Sequence, residues 1–145
     1  LSATATKSFV LTVLTAEREL FSGTVASVTL PTEAGELTLL PHHTALVSNL
    51  HAGELQIKSA DGKSEELFIG GGVLEFDPSN ACRVLADVGE RVAEIDEKAA
   101  EEARKRAEAA VKDAEGTPEV AAAQAALLHA IARLRIAEKS RKFRK

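Results

Sequence analysis

The sequence predicts an antiparallel β-sandwich followed by an antiparallel two-helix hairpin, with the change near residue 90. Three observations lead there. Residues 1–90 hold eight of the nine glycines and three of the four prolines, whereas residues 91–145 hold 16 alanines. The formal charge is −7 over residues 1–90 and +3 over residues 91–145. Hydrophobic periodicity switches from short β-branched runs to recurrences every three or four residues. A composition break of this kind separates two structural units, expected at 1–90 and 91–145.

The strands come first. Phe9–Leu14 and Val25–Leu30 are apolar and β-branched, which suits a pleated surface. Leu37–Leu40 is a shorter run closed by Pro41. Glu54–Lys58 alternates polar and apolar, the pattern of a half-buried strand. Asp61-Gly62 supplies residues that tolerate positive φ, so a hairpin to Glu65–Ile69 is expected. Val73–Phe76 enters a turn at Asp77-Pro78-Ser79-Asn80, and Cys82–Ala86 follows. Regular short strands with turn signals point to a sandwich or barrel.

The helices come next. Asp96 is the expected N-cap of the first, with Ile95 as its staple residue. Ala99, Ala103, Ala107, Ala110 and Ala114 then form the expected inner stripe. Gly116 marks a stop, Thr117 a second N-cap and Pro118 the first position of helix two. There Val120, Leu127, Ile131 and Leu134 fall on one stripe, and the short link predicts an antiparallel hairpin. An alanine seam buries little, about 0.8 kcal/mol per methyl, so such a hairpin either opens at modest cost or simply packs closely.

Composition excludes several classes. A net charge of −4 argues against a generally nucleic-acid-binding surface. The single cysteine, Cys82, allows no intrachain disulfide, and its place in a strand suits a core residue. No apolar run approaches the ~20 residues that span a bilayer. The opening LSATATKS lacks a charged head followed by an apolar stretch, so no secretory leader is expected. Gly70-Gly71-Gly72 has no following Lys-Ser/Thr, which makes it a bulge or a close backbone approach rather than a phosphate cradle. His42 and His43, if on a strand, point to opposite faces and make a poor metal pair. No nucleophile elbow or Cys/His pairing is present, and no metal or cofactor is expected. From His129 to Lys145 seven basic residues face only Glu138, a net of +6. That stretch is either a solvated helix end favoured by the helix dipole or a docking surface for an acidic partner.

Three segments together resemble the ε subunit family of F-type ATP synthases, whose mitochondrial counterpart is δ. They are LPTEAGELTLLPHHTALVSNLHAGEL at 30–55, IGGGVLE at 69–75 with RVLAD at 83–87, and LRIAEK at 134–139. The resemblance covers nearly the whole chain and implies a ten-stranded β-sandwich with a two-helix hairpin. It implies a non-catalytic rotor subunit of the central stalk, coupling proton-driven c-ring rotation to ATP synthesis. The implied partners are the γ subunit, the c-ring and, through the hairpin, the β and α subunits, with the membrane met only indirectly. By this resemblance Glu36, His42 and His43 face the c-ring, and Gly70, Gly71 and Gly72 lie near γ. Arg133, Arg135, Lys139, Arg141 and Lys142 would meet the F1 head when the hairpin extends and restrains ATP hydrolysis. Some family members bind ATP through a motif that here reads Ile95-Asp96-Glu97-Lys98-Ala99-Ala100, leaving Asp96, Arg106 and Arg133 as candidate nucleotide contacts. Ala99 replaces the motif arginine, His129 replaces a later one, and Lys98 lies about 100° away around a helix, so weak ATP binding is expected. The implied place is the cytoplasmic face of a bacterial inner membrane, or alternatively the stromal face of thylakoids or the matrix face of the mitochondrial inner membrane. Beside this reading stand a freestanding interaction module with an acidic partner and an enzyme with a diffuse site.

Overall fold

The computed structural model describes residues 8–143. The chain divides into two compact units at Arg91/Val92. The first holds seven strands among the described residues: β1 (Phe9–Leu14), β2 (Glu19–Thr32), β3 (Gly35–Leu39), β4 (Leu46–Ser59), β5 (Ser64–Asp77), β6 (Ala81–Ala86) and β7 (Gly89–Arg91). β1 pairs with β6 in parallel and with β2 antiparallel, so the ladder β1-β6-β5-β4-β2 returns to β1 and closes. β3 extends β2, and β7 pairs with β5.

The family pattern of ten strands becomes seven continuous ones, because β2, β4 and β5 each run for 14 residues. Glu65–Ile69 and Val73–Phe76 are one strand through the glycine run, and Glu54–Lys58 is the second half of β4. The bends needed for closure are absorbed by register shifts, between Val25 and Ser27 and between Thr29 and Thr32 on β2.

The strand interior is one apolar core that includes Phe9, Leu11, Val28, Leu55, Ile69, Leu74 and Phe76. Phe9 and Phe76 meet with ring centroids 5.4 Å apart, tilted by 56°. The one buried polar side chain among the described residues, Thr32, donates from Oγ1 to the Gly35 carbonyl at 2.6 Å, so its burial leaves nothing unsatisfied.

The second unit begins with a 3₁₀ turn at Val92–Glu94, followed by α1 (Glu97–Ala114) and α2 (Val120–Phe143). Asp96 caps α1, accepting from the backbone N–H of Lys98 at 3.0 Å and of Ala99 at 3.3 Å. The inner stripe is shifted from the expected one. Ala100 is buried, and Ala103, Ala107, Val111 and Ala114 are half-buried, while Ala99 and Ala110 are exposed. Gly116, at φ +76°, turns the chain after α1. Thr117 does not cap α2: its hydroxyl donates backwards to the Ala114 carbonyl at 2.6 Å, and α2 starts beyond Pro118 at Val120. Of the expected α2 stripe, Val120, Leu127 and Ile131 are half-buried and Leu134 is buried. α2 packs along α1 and also meets the Val92–Glu94 turn.

Contrary to the expectation of no such segment, α2 is long and apolar enough to cross a membrane by length and composition, with mean hydropathy 1.3 over its best window. That apolarity is mostly alanine, interrupted by Gln124, His129, Arg133 and Arg135, which is why no single run announces it.

Inside β5, Gly71 takes φ +100° and Gly72 takes φ +150°. A Cβ on Gly72 would stand 2.2 Å from the Leu85 carbonyl oxygen and 2.9 Å from the Ala86 Cα. Gly72→Ala should therefore destabilise the β unit by about 2–4 kcal/mol, combining a backbone clash with φ strain. Gly23→Ala, where a Cβ would find only ordinary contact with the Phe21 ring at 3.5 Å, should shift stability by no more than ~1 kcal/mol. Urea unfolding of the two variants makes the comparison; equal shifts would remove the steric account of Gly72.

Candidate functional site

The outer face of the β1-β6-β5-β4 layer carries an apolar row built by strand register. Leu14 on β1 lies opposite Leu85 on β6, Leu85 opposite Val73 on β5, and Val73 opposite Asn49 on β4. These positions alternate with core residues, so their side chains point outward (Leu85 is 58% exposed). Val10 and Val47 stand on the same face in flanking rows, Val47 being 69% exposed. Five of the eight large apolar side chains exposed among the described residues thus share one sheet face, a concentration that marks an interaction surface.

The row beside it is charged. Arg83 Nη1 contacts Glu75 Oε1 at 2.8 Å and Asp77 Oδ2 at 2.7 Å. Asp77 is held below the ordinary carboxylate range, first by the Ser79 hydroxyl, then by the Ser79 backbone N–H and by Arg83. Cys82, between these outward positions, points into the core, and burial pushes its thiol up to about 12. It is therefore an unreactive core residue.

The predicted partner residues fall in distinct places. Gly71 is buried, and the space beside it holds the Asp87 carboxylate and the Leu50 carbonyl, 3.2 and 3.4 Å from an added Cβ. With Gly72 against the Leu85 carbonyl, the close approach that these glycines permit is to their own chain. Gly70 donates to the Val88 carbonyl at 2.9 Å, so the β6–β7 link lies across the run.

Glu36 is exposed at the hairpin end of β3, whereas His42 and His43 lie beyond its other end. The histidines are in a turn, not on a strand. His42 sits at φ +64° with its N–H donating to Asn80 Oδ1 at 2.6 Å, and Asn80 in turn donates to the Ser8 carbonyl at 2.9 Å. His43 is half-buried, its ring edge-on to Phe76 at 5.7 Å and its Nδ1 2.7 Å from the Thr44 carbonyl. The sequence thus grouped three residues that the fold places at two ends of one strand. No group of described residues is arranged to hold a metal ion.

In the helical unit, Asp96 is committed to capping α1, and Arg106 is exposed on that helix. A shallow cleft of about 380 Å³ near the start of α1 is lined by Glu97, Lys98, Glu101, Leu134 and Glu138. Three carboxylates against one ammonium make it a poor receptacle for a polyphosphate. Arg135, Lys139 and Lys142 line a second groove with Glu138, at the i, i+4, i+7 spacing of one helix face. Arg141 lies elsewhere, its Nε 3.3 Å from Glu97 Oε2. The Arg144 and Lys145 charges counted in the basic stretch lie outside the described residues. The apolar outer row was missed in the sequence, although strict alternation interrupted by an outward Leu or Val carries that signal.

Comparison with known proteins divides the chain at the same place. Residues 8–92 match the family model described as ATP synthase, Delta/Epsilon chain, beta-sandwich domain, and residues 93–138 match the long alpha-helix domain of the same chain. The ATP synthase epsilon chain of Nitrosococcus oceani is 43% identical over 130 residues, covering 90% of this chain and 92% of the relative. That of Thioalkalivibrio sulfidiphilus is 40% identical over 136 residues, covering 93% and 96%. Among solved structures, a chain of the Euglena gracilis mitochondrial ATP synthase OSCP/F1/c-ring assembly aligns with TM-score 0.71 at 22% identity, covering 94% of this chain and 81% of that one. A chain of the Tetrahymena thermophila mitochondrial ATP synthase central stalk/c-ring aligns with TM-score 0.57 at 15% identity, covering 91% and 95%.

The lowered pKa of Asp77 sets an acid dependence. A folded pKa below the reference 3.8 contributes stability that is present above that value and lost as pH falls through the folded pKa. Asp77→Asn should lower the urea midpoint near neutral pH, and the gap to the unmodified protein should close in acid. Parallel midpoint-versus-pH curves would refute it.

Proposed function

The chain belongs to the ATP synthase delta/epsilon family, and from that premise we propose that it is the ε-type rotor subunit of an F-type ATP synthase. In this reading it joins the γ subunit to the c-ring, performs no chemistry itself and works at the membrane surface through the complex. The observation that carries the reading is the outward row Leu14-Leu85-Val73, flanked by Val10 and Val47, on an otherwise well-packed β unit. We assign γ to this row rather than to a direct contact on Gly70–Gly72, because those glycines accommodate their own chain. Their part is to hold the row in place.

Glu36 and the His42-His43 turn face the c-ring in this proposal, as two separate contacts at opposite ends of β3. Two spaced contacts resist twisting better than one, which suits a part that passes torque. The closed ladder makes the body between them stiff.

We further propose that the hairpin restrains ATP hydrolysis through the face bearing Arg135, Lys139 and Lys142, against an acidic segment of the head. Nucleotide sensing is weak in this reading. Asp96 is used by the helix cap, Ala99 offers no charge, and the adjacent cleft is acidic.

Leu85→Glu changes only an outward side chain and should weaken assembly with γ by about ten- to a hundredfold, from an apolar contribution of ~1.5–3 kcal/mol, without lowering the melting temperature greatly. Unchanged affinity for γ would sink the assignment. Neutralising Arg135, Lys139 and Lys142 to Gln should raise ATP hydrolysis by the assembled complex at low salt and leave synthesis intact; equal hydrolysis rates would reduce the basic face to a solvated helix end. Calorimetry with ATP should detect little binding by the isolated chain, and Ala99→Arg should strengthen it by about ten- to a hundredfold if the motif logic holds.

A further inference from the structure

The hairpin brings the basic end of α2 alongside the acidic beginning of α1. Within the first two turns of α1 lie Glu97, Glu101 and Glu102, preceded by Glu94 and Asp96. These carboxylates do not all do the same work. Asp96 accepts from the first backbone N–H groups of α1. Glu101 is turned to Arg104 of its own helix at 2.5 Å, which holds its carboxyl below the ordinary range. Arg104 also pairs with Glu108 one turn on. Glu97 alone among them is recorded reaching the other helix, where its Oε2 lies 3.3 Å from Arg141 Nε. The pair is partly shielded, Glu97 being 32% and Arg141 61% exposed. It also aligns with both helix dipoles, an anion at the N-terminus of α1 and a cation near the C-terminus of α2.

We propose that the hairpin masks its own basic end: Glu97 occupies Arg141 and so competes with any acidic partner for the terminus of α2. The two helix faces divide the charge. Arg135, Lys139 and Lys142 stay on the outward groove, available in the closed hairpin, while Arg141 is released only when α2 parts from the start of α1. An acidic partner therefore makes first contact with the outward three and gains Arg141 on opening, so partner binding and hairpin opening favour each other. This deepens the hydrolysis-restraining role proposed above and rests on that reading only for its consequence; the masking itself belongs to the isolated chain.

The test uses the full chain and a fluorescent deca-glutamate peptide, with binding followed by anisotropy at low salt. Glu97→Asp keeps the charge and shortens the reach, and should raise affinity for the peptide about two- to fivefold, as expected for losing one partly exposed ion pair. Glu97→Gln should do at least as much. Glu102→Gln makes the same change in net charge about 140° around the helix from Glu97, and should fall short of Glu97→Gln. Arg141→Gln should cost more affinity in the Glu97→Asp background than in the unmodified chain, because only there is Arg141 available. Equal gains from Glu97→Gln and Glu102→Gln, no gain from Glu97→Asp at matched helix content, or an Arg141→Gln effect independent of residue 97 would each overturn the proposal. If masking holds but neutralising the outward three leaves hydrolysis by the complex unchanged, the head-docking reading fails and masking stands.

Discussion

One close approach sets the geometry of the β unit: the Leu85 carbonyl lies where Gly72 has no side chain. β5 must bend to pair with β4, β6 and β7 along its length, and its bend falls at Gly70–Gly72. A Cβ at Gly72 would push β6 away, and with it the parallel pairing to β1 that closes the ladder. The same residue that fills this space internally presents its side chain outward. Leu85 is thus both the wedge behind Gly72 and the centre of the exposed row, so the position of the row depends on the absence of one methyl group.

Much of this was legible in the sequence, and the gaps have physical reasons. The composition break, the Asp61-Gly62 turn, the Asp96 cap and the Gly116 stop are local chemistry, and each stands where expected. What escaped was set by non-local pairing. Glu65–Ile69 and Val73–Phe76 look like two strands because glycine lowers strand propensity, yet neighbours on both sides hold the chain extended through it. β7 has only three residues, Gly89–Arg91, and exists because β5 offers it a ladder. His42 and His43 look like strand residues until Asn80, distant in sequence, accepts the His42 N–H.

The site was legible as a set of residue types more than as a surface. Glu36 and the histidines were grouped because they are close in sequence, but a strand lies between them. The glycines signalled a close approach correctly, and only coordinates say that the approaching backbone is internal. The basic stretch signalled docking, but helical phase decides which cations share a face, and it separates Arg141 from Arg135, Lys139 and Lys142.

The two units answer opposite mechanical demands. A part that passes torque must not deform, and a closed ladder around an apolar core has no free edge along which to shear except at β3 and β7. A part that switches must have two states separated by little free energy. The inner face of α1 meets that demand through composition: Ala100, Ala103, Ala107 and Ala114 supply single methyls, with Val111 the largest side chain among them. Each buried methyl contributes about 0.8 kcal/mol and a partly exposed ion pair adds no more than ~1 kcal/mol. With so little held along the seam, one pair such as Glu97–Arg141 is a substantial share of what separates closed from open, and a charge that would be negligible in the β unit gains leverage in the hairpin.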